Sequence, residues 1–537
     1  MVAQSVHLPN GQTLSVSPVF GGYTFRSNQL DLHHSAFPPG WTVILETEDE
    51  IDETDERLRR RSKMSLYRDG TDESSSKHTI THRFTRPTLQ NDSLFLSSIS
   101  IPSNSDFKMS HSPTRQIALM LWSTLYWYFH KEPPSPHVMT EASSLTPEAG
   151  RPKADWRIRI KREGILKGKN LMQKLERMGL VASEDSSVGT DTNIKDPAGW
   201  NEIFVSRRSF WQIDPRIFLF TLSPVNHSPV PAASPFPSRP TSPARDGQGS
   251  PRNETASSYS DGPTAGISSP GGPFNSSSNL PTYYPPPPTQ FIFSNHIRHP
   301  IRPKPPRQGE TFYTRYIPSV DQYLSFRIPT LSKKPCPQFS PMGVSAPGVL
   351  PSHPGAAAAM TLPTLASFAE RSCDVDILHK WMNEPRVNAA WGCAGPVYTQ
   401  QKFLEDGMSS THSFPAFGCW DGKPFGYFEI YWVKEDKLGR LLGGHVGDYV
   451  RGIHVLVGEQ EYRGAHRVKI WLDALVHYCW LADPRTETVM LEPRVDNDKF
   501  INYLKGSGFY KQSEVTFPHK QSAVMKIDRE AWEAPTL

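Results

Sequence analysis

The chain has 537 residues, with 58 Lys plus Arg against 54 Asp plus Glu, for a formal charge of +4 at neutral pH. A near balance over this length gives no general electrostatic case for nucleic acid or a membrane surface as partner. Only 37% of residues are apolar while 51 are Pro, which points to folded parts separated by unfolded ones; 27 Phe and 13 Trp argue against a wholly disordered chain.

The five cysteines, Cys336, Cys373, Cys393, Cys419 and Cys479, form no C-x-x-C pair, so neither a disulfide scaffold nor a zinc pattern is expected. The first thirty residues carry no apolar stretch behind a basic start, and the final APTL is not a peroxisomal address. The longest apolar run, Ile117 to Phe129, is too short to span a bilayer. The cytoplasm is the expected compartment.

In chain order, residues 8–50 read as short strands around a turn-rich HSAFPPGW, and 51–80 as a charged insertion. HRFTRPTLQNDSLFLSSISIP returns to strands. A helix from Pro113 to His130, crowded with aromatic and aliphatic residues, suits burial on several faces. WRIRIKREGILKGKNLMQKLERMGLVA predicts a strand and a helix ending near Gly179, and EIFVSRRSFWQIDPRIFLFTLSP more strand. Helix, basic helix and paired strands also fit a winged helix. However, Glu163 and Glu176 offset the basic run and no base-reading motif accompanies it. Residues 226–288, rich in Pro, Ser and Gly, cannot bury enough apolar area to fold. Residues 289–361 form a connector, with a second linker at 343–360, and a C-terminal domain occupies 362–534.

That domain reads helix, short helix, two strands joined at Asp421-Gly422, then a strand, a glycine-bearing loop and a long helix. A strand, a polar loop, another helix and a final hairpin follow. In IHVLVGEQEYRGAHR, backbone N-H groups at the start of the long helix can receive an anion such as pyrophosphate. Gly464 permits close approach, and Arg463 and Arg467 add charged donors. A plain strand-turn-helix without ligand fits the same residues. The loop is neither a P-loop nor the three-glycine dinucleotide loop.

The order of four segments resembles the GNAT acyltransferase superfamily, and within it the enzymes that acylate hydroxylamines in siderophore assembly. These segments are HKWMNEPRVNAAW (His379 to Trp391), GYFEIYW (Gly426 to Trp432), RGIHVLVGEQEYRGAHR (Arg451 to Arg467) and LEPRVDNDKFINYLKGSGF (Leu491 to Phe509). The resemblance implies an α+β fold, a mixed central sheet flanked by helices. It also implies that residues 1–225 are a second, degenerate acyltransferase-like domain, similar to that of the fungal hydroxyornithine acyltransferases.

By the same resemblance, Val455 and Val457 on the strand Gly452 to Val457 would line the acyl-CoA cleft. Gln460, Arg463, Gly464, Ala465, His466 and Arg467 would hold the pyrophosphate, although Ala465-His466 replaces the usual small residue followed by Gly. His454 would face the reacting amine, with Asp496 as its acidic partner and Asn497 beside them. His379, Trp381 and Trp391 would shape the acceptor or acyl pocket. The cosubstrate would be acetyl-CoA, with no metal, the acceptor N5-hydroxyornithine, and siderophore-pathway enzymes possible partners. The larger anhydromevalonyl-CoA is the alternative donor, and a noncatalytic scaffold the alternative class.

The residues themselves leave choices open. Strand alternation puts Ile453 and Val455 on one face, His454 and Leu456 on the other. A His there is either a buried group paired to a backbone carbonyl or one that accepts a proton if left uncharged beforehand. Asn497 or Asp498 can cap the next helix, leaving Asp496 free. Glu429 and Tyr431 share a face and can bind the acceptor, though Glu429 could equally pair with Arg451. Tyr427, Phe428 and Trp432 read as packing groups.

Overall fold

The computed structural model describes residues 4–9, 12–28, 37–50, 79–100, 113–183, 203–213, 289–333, 372–483 and 485–533. The segment 226–288 and the linker 343–360 lie outside the described residues, as does nearly all of the charged insertion.

The C-terminal sheet has eight strands in the spatial order β12-β13-β14-β15-β16-β17-β19-β18. These are β12 (Thr311–Ile317), β13 (Gln322–Arg327), β14 (Ser413–Trp420), β15 (Lys423–Trp432), β16 (Arg451–Val457), β17 (Thr488–Leu491), β18 (Tyr510–Phe517) and β19 (Lys520–Asp528). All neighbours are antiparallel except β16 and β17, joined through the long helix α8 (Ala465–Ala482). α4 (Asp374–Met382), α5 (Pro385–Trp391) and α6 (Val397–Ser409) come between β13 and β14, and the short α7 (Lys437–Leu441) between β15 and β16.

The expected connector therefore supplies two strands of this sheet, β12 and β13. An alternating aromatic pattern such as TFYTRYI cannot name its partner strand; the tertiary structure does. Asp374, 1% exposed, ties α4 to β13 through two bonds from Arg327, at 2.7 and 2.6 Å, and accepts the Thr330 N-H at 2.7 Å.

The N-terminal sheet repeats the order: β1 (Gln4–His7), β2 (Thr13–Val19), β3 (Gly22–Ser27), β4 (Gly40–Glu50), β6 (Asp92–Ser100), β7 (Arg157–Ile160), β9 (Ile203–Ser206), β8 (Ala182–Ser183). It too has one parallel step, β6 to β7, bridged by α1 (Pro113–Phe129), with α2 (Lys169–Arg177) after β7. An extra strand, β5 (Thr79–Arg83), pairs with β4. Where the C-terminal half inserts three helices, Phe20-Gly21 make a tight turn between β2 and β3. Part of the segment expected as strand, Arg207–Trp211, is the short helix α3, because the Ser206 side chain caps it by accepting the Ser209 N-H at 3.0 Å. A hairpin of β10 (Phe291–Ser294) and β11 (Ile297–Pro300) precedes the C-terminal sheet.

One hydrophobic cluster runs through both halves. At their junction His477 of α8 meets the Trp211 carbonyl at 2.7 Å and the Tyr313 hydroxyl at 2.9 Å, and its ring stacks on Trp532. Burial, aided by nearby Arg315, pushes its pKa down to about 3 from 6.5. The neutral ring's contribution to stability is complete above pH 6.5 and is lost as pH falls towards 3, at about 1.4 kcal/mol per pH unit. Thermal unfolding should therefore show a falling melting temperature on acidification below about pH 6, with a flatter slope in His477→Gln.

Candidate active site

β16 and β17 are paired only at Arg451–Val489 and Gly452–Met490. Beyond Gly452 the ladder to β17 ends while pairing to β15 continues to Val457, so one edge of β16 opens towards β17. The expected alternation holds: Ile453 and Val455 join the core under α8, and Leu456 joins the cluster under α4 and α6. His454 shares the Leu456 face.

His454 lies between two carboxylates. Nδ1 is 2.8 Å from Glu429 Oε2, directly across the β15–β16 ladder, and Nε2 is 2.6 Å from Glu492 Oε1, just past the end of β17. Each carboxylate also accepts a tyrosine hydroxyl at 2.8 Å, Tyr427 on Glu429 and Tyr431 on Glu492. Burial by itself would lower the His454 pKa. Glu492 and Glu429 outweigh it and raise the pKa well above 6.5, so the ring is an imidazolium donating to both. Burial would raise Glu492, 4% exposed on its side chain, but the cation beside it holds it below the usual carboxylate range. Burial and the paired carboxylates raise both phenols, keeping Tyr427 and Tyr431 protonated. The Tyr431 ring lies 4.5 Å from that of His454 over Gly452, where a Cβ would come within 2.1 Å of the ring. Trp391 meets His454 edge-on at 6.4 Å.

This geometry corrects two expectations. His454 is not held uncharged, because two anions flank it. Its acidic partners are Glu492 and Glu429 rather than Asp496, whose exposed side chain pairs through both oxygens with Arg494. Glu429 faces away from Arg451, so it pairs with His454 instead. Asn497 caps α9 (Asp498–Gly506), accepting the Phe500 N-H at 3.3 Å. His379 joins α4 to α6 through Gln400 at 2.9 Å, and the fully buried Trp381 donates to Glu459 at 2.8 Å. Neither has a described contact with His454, whereas Trp391, Glu429 and Tyr431 do.

Glu492 was the missed residue. It directly follows the apolar strand TVML and shares the face of Met490, a signal in the sequence that Asp496 overshadowed.

At the start of α8, Gly464 has φ +149°, a backbone that favours glycine, and the helix has no side-chain cap. Arg463 and His466 are exposed there, whereas Arg467 turns inward between the Trp420 and Tyr462 rings and donates to Gln322 at 2.9 Å. Arg386 donates to the Val457 and Gly458 carbonyls, both at 2.9 Å, holding the exit of β16. An uncapped helix start flanked by the exposed Arg463, which donates to Gln460 Oε1 at 3.0 Å, and His466, reached from an opened strand edge, suits a long phosphate-bearing cosubstrate.

A family described as "Acetyltransferase (GNAT) domain" matches residues 371–517. An "N5-hydroxyornithine acetylase sidL" of Beauveria bassiana is 46% identical, covering 97% of this chain and all of its own. The chain belongs to the GNAT acetyltransferases, in the family of that hydroxyornithine acetylase. The "N(6)-hydroxylysine O-acetyltransferase" of Escherichia coli is 36% identical over 44% of this chain and 62% of its own. A Beauveria bassiana "N(5)-hydroxyornithine:cis-anhydromevalonyl coenzyme A-N(5)-transacylase SIDF" is 32% identical over 43% and 42%. No described helix is long and apolar enough to cross a membrane.

Proposed function

We propose that this protein is a cytoplasmic enzyme transferring the acetyl group of acetyl-CoA to N5 of N5-hydroxyornithine, giving a hydroxamate for siderophore assembly. The observation that carries the reading is the Glu429–His454–Glu492 array beside the opening of β16. Full-length similarity to the acetylase, against partial similarity to the anhydromevalonyl enzyme, favours the smaller donor.

In this reading Arg463, His466 and the first N-H groups of α8 hold the pyrophosphate, with Gln460, Gly464 and Ala465 shaping the turn. Val455 and Val457 border the pantetheine arm. Arg467 supports the turn from beneath, while His379 and Trp381 position α4 rather than touch substrate. Trp391 and Tyr431 wall the reacting centre, and the rim residues Asp496 and Asn497 face the arriving amino acid. With one cation between two anions, the array has a net negative charge suited to a nitrogen that becomes cationic in the reaction. The neutral hydroxylamine nitrogen attacks the thioester carbon, a C-N bond forms and the C-S bond breaks. Its surplus proton passes to Glu429, the more exposed carboxylate (22% against 4%), and from there to the departing thiolate, which gives CoA and restores the carboxylate.

We further infer that the N-terminal half is a degenerate acyltransferase-like unit with a structural role. Superposed by strand register and by the face turned to α1 or α8, His454, Glu429 and Glu492 correspond to Phe95, Ile44 and Lys161. None of these can form the same proton array.

The test is CoA-thiol release with N5-hydroxyornithine and, in parallel, acetyl- and anhydromevalonyl-CoA, scored against ornithine. Turnover with acetyl-CoA that depends on the hydroxylamine is expected. Preference for the larger donor would overturn the donor, and no turnover from folded protein would favour a scaffold.

A further inference from the structure

Lys520 opens β19, directly after the turn at Pro518-His519 that follows Phe517. Along β19, Ala523, Met525 and Ile527 join the core under α8, while Val524 packs with Tyr431 and Met490 on the other face. Strand alternation puts Lys520 on the face of Val524, which is the face of Glu492 and His454. Backbone bonds fix it there. The chain leaving β17 stays alongside β19, with the Ala523 N-H on the Pro493 carbonyl at 2.9 Å and the Val495 N-H on the Gln521 carbonyl at 3.1 Å.

The Lys520 ammonium donates to the Glu492 backbone carbonyl at 3.1 Å and lies 3.8 Å from Glu492 Oε1, the oxygen that His454 Nε2 meets at 2.6 Å. Charge therefore alternates along a row of Glu429, His454, Glu492 and Lys520. A lysine that served only to neutralise Glu492 would close on the carboxylate at hydrogen-bond distance. Lys520 instead bonds a neutral carbonyl and keeps 21% of its side chain exposed. Its carbonyl bond is its one hydrogen bond among the described residues, and an ammonium has further N-H donors to offer an incoming anion.

We propose that Lys520 binds the α-carboxylate of the acceptor amino acid, which lies along this row with its hydroxylamine nitrogen at the Glu429 and His454 end. The inference rests on the reading of the site as one that acylates an N-hydroxylated amino acid. The spans agree. Because both meet Glu492 Oε1, the ammonium and His454 Nε2 lie within roughly 6 Å of each other. In extended N5-hydroxyornithine, the nitrogen and the carboxylate carbon are about 6 Å apart at ordinary bond lengths. The charge of Glu492 is met by His454, so Lys520 remains the cation that the carboxylate finds, while the unneutralised anion of the row is Glu429, where the nitrogen delivers its proton.

Initial rates of the full chain at saturating acetyl-CoA are compared for N5-hydroxyornithine and N-hydroxyputrescine, the same hydroxylamine without the carboxylate. Wild type should prefer the amino acid by roughly 10- to 100-fold in kcat/KM, the range for one charge-assisted hydrogen bond. Lys520→Met should abolish most of that preference, chiefly by raising KM for the amino acid, with KM for acetyl-CoA little changed. Lys520→Gln, which keeps a donor for the Glu492 carbonyl, should lose the preference too, and Lys520→Arg should recover part of it. An equal loss on both acceptors would mean that Lys520 acts only through Glu492 and would overturn the proposal. Equal use of the two acceptors by wild type would do the same. Calorimetry of N5-hydroxyornithine in the presence of CoA separates this proposal from the acetyl-transfer reading. If wild type turned over neither acceptor, that reading would fall, yet binding that is lost in Lys520→Gln would uphold the carboxylate contact. Binding that is absent from wild type, or unchanged in the variant, would overturn it.

Discussion

Glu492→Gln should lower kcat by about 10²- to 10³-fold, the range for removing one preorganised electrostatic contact to charge that develops in the transition state, with a smaller effect on KM. Gln keeps the shape and an acceptor for the Tyr431 hydroxyl but removes the charge that does most to raise the His454 pKa. NMR titration should therefore place His454 well above the ordinary 6.5 in wild type and markedly lower in the variant. The stability linked to this ring is complete below pH 6.5 and is lost as pH rises through its raised folded pKa, so the variant should lose that alkaline slope. Asp496→Asn should leave the titration unchanged, because Asp496 pairs with Arg494. The reverse pattern, an active Glu492→Gln with an unshifted His454 and a dead Asp496→Asn, would return the acidic role to Asp496.

A fragment beginning at residue 340 should fail to fold. It lacks β12 and β13, strips cover from Phe414, and leaves the Asp374 carboxylate buried without Arg327. Losing one partner of a buried ion pair costs about 3–5 kcal/mol, a large part of the roughly 5–15 kcal/mol that holds a domain. The loss of the packed apolar faces of Phe312, Leu324 and Phe326 adds to it. A fragment from residue 289 keeps all eight strands and should fold, though less stably, because it loses only the contacts of the N-terminal half, including the Trp211 carbonyl on His477. Circular dichroism and solubility of the two fragments decide the point. A folded, active protein from 340 onward would show that β12, β13 and the N-terminal half are all dispensable.

Sequence reading reached the C-terminal fold, the opposed faces of Ile453 and His454, the buried helix α1 and a cap at Asn497 or Asp498, of which the structure selects Asn497. Each is governed by neighbours a few residues away, through strand alternation, helical periodicity or capping chemistry. Glu429 was chosen as a site residue because it sits two positions from Tyr431 on one strand face, but its partner was left open between Arg451 and the substrate. The structure decided that pairing, since β15 and β16 align Glu429 opposite His454.

What the sequence by itself determined, then, was the kind of domain and which face of β16 presents His454. Only the tertiary structure decided that Glu492 rather than Asp496 completes the pair, that the histidine is charged, and that β12 and β13 belong to the catalytic sheet. The reason is physical. Asp496 and Glu492 are four residues apart in one motif and chemically alike, but only Glu492 leaves its strand beside His454, while Asp496 is captured at once by Arg494 two residues away. A proton's position depends on the charges within a few ångströms, and those come from β15, β16 and the end of β17, segments brought together only when the sheet forms.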